Sequence, residues 1–242
     1  MSDTPILHID ALSKTYPGGK KAVDQLTLTV MPGDICGFIG HNGAGKTTTI
    51  RCATGVMGFE SGDILIDGHS IRREPLRCKA VTAYVPDSPD LYEFLTGIQY
   101  LSYIGDIFGV SRADRQARIA EYGEALTLTG NLGDVIGSYS HGMKQKLALI
   151  AAFLHAPRLL ILDEPFVGLD PTAAFRVKGM MQTMCAQGGA VFFSTHVLEV
   201  AEKLCTKIAI IKDGALRVSG PTAQVLGDSS LEALFLEVSG DA

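Results

Sequence analysis

Apolar and polar positions change their period along the chain, and each period predicts a different kind of element. In the first third, Ile6 to Leu12 is rich in apolar residues and leads to the turn signal Tyr16-Pro17-Gly18-Gly19. Leu26-Thr27-Leu28-Thr29-Val30 alternates with period two, as a half-buried strand does. Gly62 to Ile66 and Val81 to Val85 read alike, so an antiparallel sheet is expected here. Ile35-Cys36-Gly37-Phe38-Ile39 is apolar throughout and predicts a buried strand, with a helix from Lys46 to Ala53 after it.

The middle is helical. Ile98, Leu101, Ile104, Ile107 and Phe108 recur near helical spacing over Thr96 to Phe108. Ser111, with Asp114 three residues on, reads as the cap of a helix running to about Thr127. Ser140 opens a strongly apolar helix to about His155. The last third alternates: a strand at Leu159 to Leu162, a helix with Asp170 as cap and Pro171 in its first position, and a strand at Ala190 to Ser194. A helix from Val197 to Leu204, a strand from Lys207 to Ile211 and two short helical segments beyond Pro221 complete it. Strand–helix–strand alternation predicts an α/β fold with a mainly parallel sheet covered by helices.

Composition narrows this picture. A chain of 242 residues with 46% hydrophobic and 19% charged content is an ordinary globular protein with room for one substantial core. A net charge of −5 and the lack of any Lys/Arg run argue against a broad nucleic-acid-binding face. The cysteines Cys36, Cys52, Cys78, Cys185 and Cys205 form no C-x-x-C pair, so neither zinc nor a redox couple is expected; they read as small core residues in a reducing compartment. No apolar stretch is long enough to span a bilayer, and Met1 to Pro5 shows no secretory signal. Work at a membrane would need another chain to hold this one there.

Gly40-His41-Asn42-Gly43-Ala44-Gly45-Lys46-Thr47 fits G-x-x-x-x-G-K-[ST] between a strand and a helix. Glycines let backbone N–H groups turn inward around an anion, and the helix start adds its positive end. Lys46 would reach the β- and γ-phosphates, and the Thr47 hydroxyl would ligate Mg²⁺. Leu159 to Leu162 ends in Asp163 and Glu164, at the strand end where open α/β sheets bind ligands. Asp163 can hold Mg²⁺, and Glu164 can accept a proton from an attacking water. Alternatively, both acids merely solvate a strand end. His196 follows a similar apolar strand and could bond the γ-phosphate and that water; a lone histidine can equally be structural. Ser140 is a helix N-cap, and its helix, with Gly142 in the first turn, also offers free N–H groups to an anion.

In this order the motifs resemble the ATP-binding cassette of ABC transporters, a single domain over about residues 6–227 of the 242. The resemblance implies a P-loop core, an N-terminal antiparallel β subdomain, a helical subdomain over about 88–157 and a short helical tail at 228–242. It makes Tyr16 the aromatic that stacks on adenine, although Tyr16 alone could be an edge-strand packing residue. It adds Thr48 to the nucleotide-contacting loop, makes Gly168-Leu169-Asp170 the D-loop and His196 the switch histidine. Two such cassettes sandwich ATP, so Ser140, His141, Gly142, Met143 and Asp170 would act on nucleotide held by a second cassette. The implied function is ATP hydrolysis with Mg²⁺ that powers an integral-membrane permease, with the chain peripheral on the cytoplasmic face. Segment Ser88 to Gly137 would dock on the permease, with Leu91, Tyr92 and Phe94 lining the groove or simply filling the subdomain core.

Two departures stand out. The family signature Leu-Ser-Gly-Gly-Gln is here Tyr139-Ser140-His141-Gly142-Met143. The form with Met143-Lys144-Gln145 is similar to ABC-2-type cassettes, often exporters. The glutamine expected after Tyr84-Val85-Pro86 is replaced by Asp87, shorter and charged. A non-transport ABC ATPase and a nucleotide-gated assembly module are the alternative readings. The first usually carries coiled coils or a second cassette, which this chain lacks; Glu164 and His196 argue against the second.

Overall fold

The computed structural model describes residues 4–240. Met1 to Asp3, part of the stretch read for a secretory signal, and residues 241–242 of the tail lie outside the described residues.

The chain opens with β1 (Leu7–Thr15) and β2 (Lys21–Val30), an antiparallel pair whose turn is closed by Gly19 N–H donating to the Tyr16 carbonyl. β3 (Ile35–Ile39) and α1 (Lys46–Ala53) have the bounds the sequence predicts. β4 (Ser61–Ile66) and the short β5 (His69–Ser70) follow, then α2 (Pro75–Ala80) and β6 (Thr82–Val85). Next come α3 (Gly97–Ile107), α4 (Arg112–Ala125) and α5 (His141–Leu154). β7 (Leu159–Asp163), α6 (Pro171–Ala186), β8 (Ala190–Thr195), α7 (Leu198–Leu204) and β9 (Lys207–Lys212) form the alternating part. β10 (Ala215–Pro221), α8 (Thr222–Leu226) and α9 (Leu231–Ser239) complete the described chain.

Two sheets result. One is antiparallel, in the order β2-β1-β4-β5; the other has the order β10-β9-β3-β8-β7-β6 and is parallel except at β10. Period-two alternation sends each strand's residues to two cores. Leu160, Leu162, Val191 and Phe193 face α3 to α7, while Leu159, Ile161, Ala190 and Phe192 face the antiparallel sheet and α1. Covered on both faces, β3, β7 and β8 are buried at every position, which is why they read as unbroken apolar runs.

Three side-chain caps stand where the sequence places them. Ser111 accepts from Asp114 N–H, Ser140 from Met143 N–H and Asp170 from Ala173 N–H. Helix α4 stops at Ala125, short of the expected Thr127, whose φ of +57° lies outside the helical region. One strand belongs elsewhere than expected. β6 pairs parallel with β7 in the large sheet, not in the antiparallel one. As an edge strand it buries only Ala83 and Val85, so it shows the alternation of a half-buried antiparallel strand. Strands β5 and β10 and helix α2 carried no sequence signal. All five cysteines are buried and free, as expected.

Candidate functional site

Parallel pairing brings the carboxyl ends of four strands to one edge. Ile39 is in register with Thr195, Val85 with Leu162, and Asp163 with Ser194. The loop 40–45 leaves this edge from β3 and enters α1 through Gly45. That residue caps α1 without a side chain, at a φ of 110°. A Cβ there would lie 2.4 Å from the Ala22 carbonyl oxygen, so only glycine fits. With no side-chain cap, the N–H groups of the first turn stay open to an anion.

Lys46 follows, only 7% exposed. Its Nζ donates to the carbonyls of Gly40 at 2.6 Å and His41 at 3.3 Å. Burial lowers its pKa from the ordinary lysine value, and the charges of Glu164 and Asp163 oppose that.

Asp163 ends β7 at 1% exposure. Its Oδ1 accepts from the Ser194 hydroxyl at 2.5 Å, while Oδ2 is buried with no hydrogen-bond partner. Burial raises its pKa above the usual carboxylate value, and the Ser194 hydroxyl opposes the rise. Glu164 turns out of the strand at a φ of +49°. For a residue with a side chain that region costs roughly 1–2 kcal/mol. Its Oε1 lies 3.9 Å from Lys46 Nζ and 3.0 Å from Nδ1 of His196, the residue just beyond β8.

These groups share one cleft of about 270 Å³. Tyr16, His41, Asn42, Gly43, Gly45, Lys46, Thr47, Thr48, Asp87, Asp163 and Glu164 all line it. Gly40 and Ala44, in the same loop, are buried and do not line the cleft, and His196 reaches the site through Glu164. The Tyr16 hydroxyl is 3.1 Å from Thr48 Oγ1, which ties the ring to α1 at the cleft. Asp87 is exposed beyond β6 and accepts from Ser88 N–H at 2.9 Å. The sequence reading missed Lys20 and Ala22, which also line the cleft, and the bridge made by Ser194.

Mg²⁺ fits this donor set. Asp163 Oδ2 is a buried oxygen in want of a partner, and the Thr47 hydroxyl shares its cleft. Among the described residues no group of three or more His, Cys, Asp or Glu could hold a metal ion. A single carboxylate and a hydroxyl suit a hard cation that keeps waters and takes phosphate oxygens from its substrate.

The predicted trans-acting residues lie elsewhere. Ser140, His141, Gly142, Met143 and Asp170 do not line the cleft but meet around the start of α5. A Cβ on Gly142 would lie 2.6 Å from the Gly168 carbonyl oxygen, so the first turn of α5 packs closely on the backbone just before Asp170. Lys146 Nζ holds Asp170 Oδ2 at 2.7 Å and draws that carboxyl's pKa down. Gln145, fully buried, donates to the Pro165 carbonyl at 3.4 Å. Ser140 and His141 themselves are exposed.

A family model described as ABC transporter matches residues 23–167, more than half of the chain. The chain belongs to the ABC transporter family. Within that family it is an ATP-binding ATPase cassette. It is 38% identical over 200 residues to the uncharacterized ABC transporter ATP-binding protein YhcH of Bacillus subtilis (strain 168), covering 82% of this chain and 64% of that protein. It is 33% identical to the linearmycin resistance ATP-binding protein LnrL of the same organism, over 97% of this chain and 76% of the relative. A solved ATP-binding subunit of an ABC transporter superposes with a TM-score of 0.92 at 33% identity, covering 97% of this chain and 99% of the other. Among the described residues of the cassette, no helix is long and apolar enough to cross a membrane.

Proposed function

We propose that this cassette binds Mg·ATP in the cleft between the phosphate loop and the two acids and hydrolyses it to ADP and phosphate to drive a membrane permease. The observation that carries this reading is the convergence of Lys46, Thr47, Asp163 and Glu164, from separate strand ends, on one cleft. Gly43, Gly45 and the first turn of α1 cradle the phosphates, Lys46 moves from its carbonyl partners to the β- and γ-phosphates, and Tyr16 carries the adenine ring. Asp163 and Thr47 would hold Mg²⁺, which when bound would draw charge from the phosphate oxygens. Water attacks the γ-phosphorus in line and the bond to the β–γ bridging oxygen breaks. Glu164 takes the water's proton, and His196 orients Glu164 and the γ-phosphate. Asp87 stands in the glutamine position of the family beside these groups.

A second cassette completes the site. Ser140 and the N–H group at Gly142 contact the γ-phosphate held by the partner, and Asp170 crosses the same interface. The backbone contact of Gly142 with Gly168 and the Lys146–Asp170 ion pair support one rigid trans-acting unit. Loss of the γ-phosphate loosens the pair and moves the permease.

The helical subdomain over about 88–157 docks on that permease, which holds the chain on the cytoplasmic face. Tyr92 and Phe94 are exposed, with ring centroids 5.9 Å apart, whereas Leu91 packs into the core. Beside them opens a cavity of about 310 Å³ lined by Pro86, Leu91, Tyr100, Ile104 and His155, suited to an apolar helix. Export is the direction favoured, on the resistance role printed for LnrL and the Met143-Lys144-Gln145 form of the signature. Calorimetric titration with Mg·ATP tests the reading: saturable heat is expected, and none at millimolar nucleotide with folded protein would overturn it.

A further inference from the structure

Ser194 is fully buried at the end of β8, in register with Asp163 on the neighbouring strand. A serine hydroxyl has one hydrogen to give and lone pairs to receive. Here the hydrogen goes to Asp163 Oδ1 at 2.5 Å, and a lone pair takes the Glu164 N–H at 3.0 Å. One oxygen atom therefore touches both acids of the site.

The consequences for the two acids differ. With Oδ1 accepting from Ser194, Oδ2, buried and without a hydrogen-bond partner, is the Asp163 oxygen left with both lone pairs open. Fixing one oxygen of a carboxylate fixes the direction of the other. Glu164 is held through its backbone at the left-handed φ of +49°, just where the chain leaves the strand. Two residues beyond Ser194, His196 holds the same glutamate through its carboxylate at 3.0 Å. The end of β8 thus grips Glu164 at both the main chain and the side chain.

We infer that Ser194 is a positioning residue for the hydrolysis: its hydroxyl leaves Asp163 Oδ2 as the oxygen presented to Mg²⁺ and sets the backbone turn that aims Glu164. The inference rests on the Mg·ATP reading above and adds a residue that touches neither nucleotide nor metal. Ser194 follows Val191, Phe192 and Phe193 on a buried strand, so a merely structural serine would yield to alanine with an effect on stability alone.

The decisive measurement is nucleotide binding by the full chain across a magnesium titration, read with a fluorescent ATP analogue. In Ser194→Ala the magnesium concentration at half-saturation rises about 10–100-fold, as loss of an outer-sphere partner to a metal ligand does. Binding of the analogue in EDTA stays at the wild-type level, and phosphate release slows. A shift in the magnesium midpoint smaller than about tenfold overturns the inference, whatever the change in melting temperature. Should the alanine protein not be recovered folded, Ser194→Cys replaces the hydroxyl by a somewhat larger group with only a weak S–H donor and is judged by the same midpoint. Wild-type protein whose nucleotide binding ignores magnesium would sink the Mg·ATP reading itself. A responsive wild type with an equally responsive variant sinks only the role of Ser194.

Discussion

Lys46 Nζ and Glu164 Oε1 stand 3.9 Å apart, a cation that follows β3 facing a carboxylate that follows β7, with β8 between the two strands. Both side chains are largely buried, at 7% and 17% exposure. The pair is not saturated: Lys46 donates to two backbone carbonyls and Glu164 also contacts His196. A γ-phosphate entering between them would draw the lysine away and leave Glu164 free to take a proton from water. On the proposed function the two residues have separable tasks, binding for one and chemistry for the other.

Replacing the carboxylate by its amide isolates the second task. Glu164→Gln keeps the shape of the side chain but cannot accept the proton. Mg·ATP affinity is expected to stay near the wild-type value while phosphate release falls about 10²–10⁴-fold. With the γ-phosphate retained, the protein should run as an ATP-bound dimer in size-exclusion chromatography. Full turnover in this variant would assign the base to another group.

Lys46→Ala isolates the first task. The lysine gives a charge-assisted hydrogen bond to phosphate, worth about 2 kcal/mol, or roughly thirtyfold in Kd. It also braces the loop through Gly40 and His41, so its loss loosens the cradle in the same direction. Calorimetry with Mg·ATP should show at least that weakening. Unchanged affinity would remove the phosphate-loop assignment.

Local elements were legible wherever the local pattern had a single physical reading. Ile35–Ile39 is buried on both faces, and α1 begins just after Gly45, so both were readable to the residue. Ser111, Ser140 and Asp170 cap their helices because a short polar side chain before an apolar run has few other uses. Elements without such a pattern escaped. β10 is half-exposed and ends in Gly220-Pro221, and the six residues of α2 bury only Cys78. The site was legible as separate motifs; their convergence came from the family resemblance and is now geometric. Contacts between motifs left no sequence trace: Ser194 lies 31 residues from Asp163, and Gly142 meets Gly168 through backbone alone. Such pairs depend on which strands become neighbours, which no local period encodes.

Ser140 carries two readings, and two substitutions separate them. As N-cap it accepts from Met143 N–H at 3.3 Å; as an exposed hydroxyl it is free to meet a partner's γ-phosphate. Ser140→Ala removes both and should lower unfolding free energy by about 1 kcal/mol, whereas Ser140→Gly should cost only a few tenths. Both lack the hydroxyl, so both should lose ATP-driven dimerisation and turnover to a similar extent. Thermal denaturation and steady-state phosphate release check the pair. Turnover that tracks stability across the two variants would mean that Ser140 is a cap and nothing more.

Asp87 poses the sharpest question about the chemistry. It brings a third carboxylate to a cleft that already holds Asp163 and Glu164, and its charge adds to burial in raising the Asp163 pKa. The incoming nucleotide is itself polyanionic, so this extra charge works against binding unless a cation shares it. Asp87→Gln restores the side chain usual at this position and removes that repulsion. If Asp87 simply stands in for the glutamine, the variant should retain or raise the rate of phosphate release at saturating Mg·ATP. It should also bind Mg·ATP at least as tightly, since one negative charge has left the cleft. Complete loss of turnover with nucleotide affinity intact would instead give the carboxylate a task of its own, which a neutral amide cannot perform.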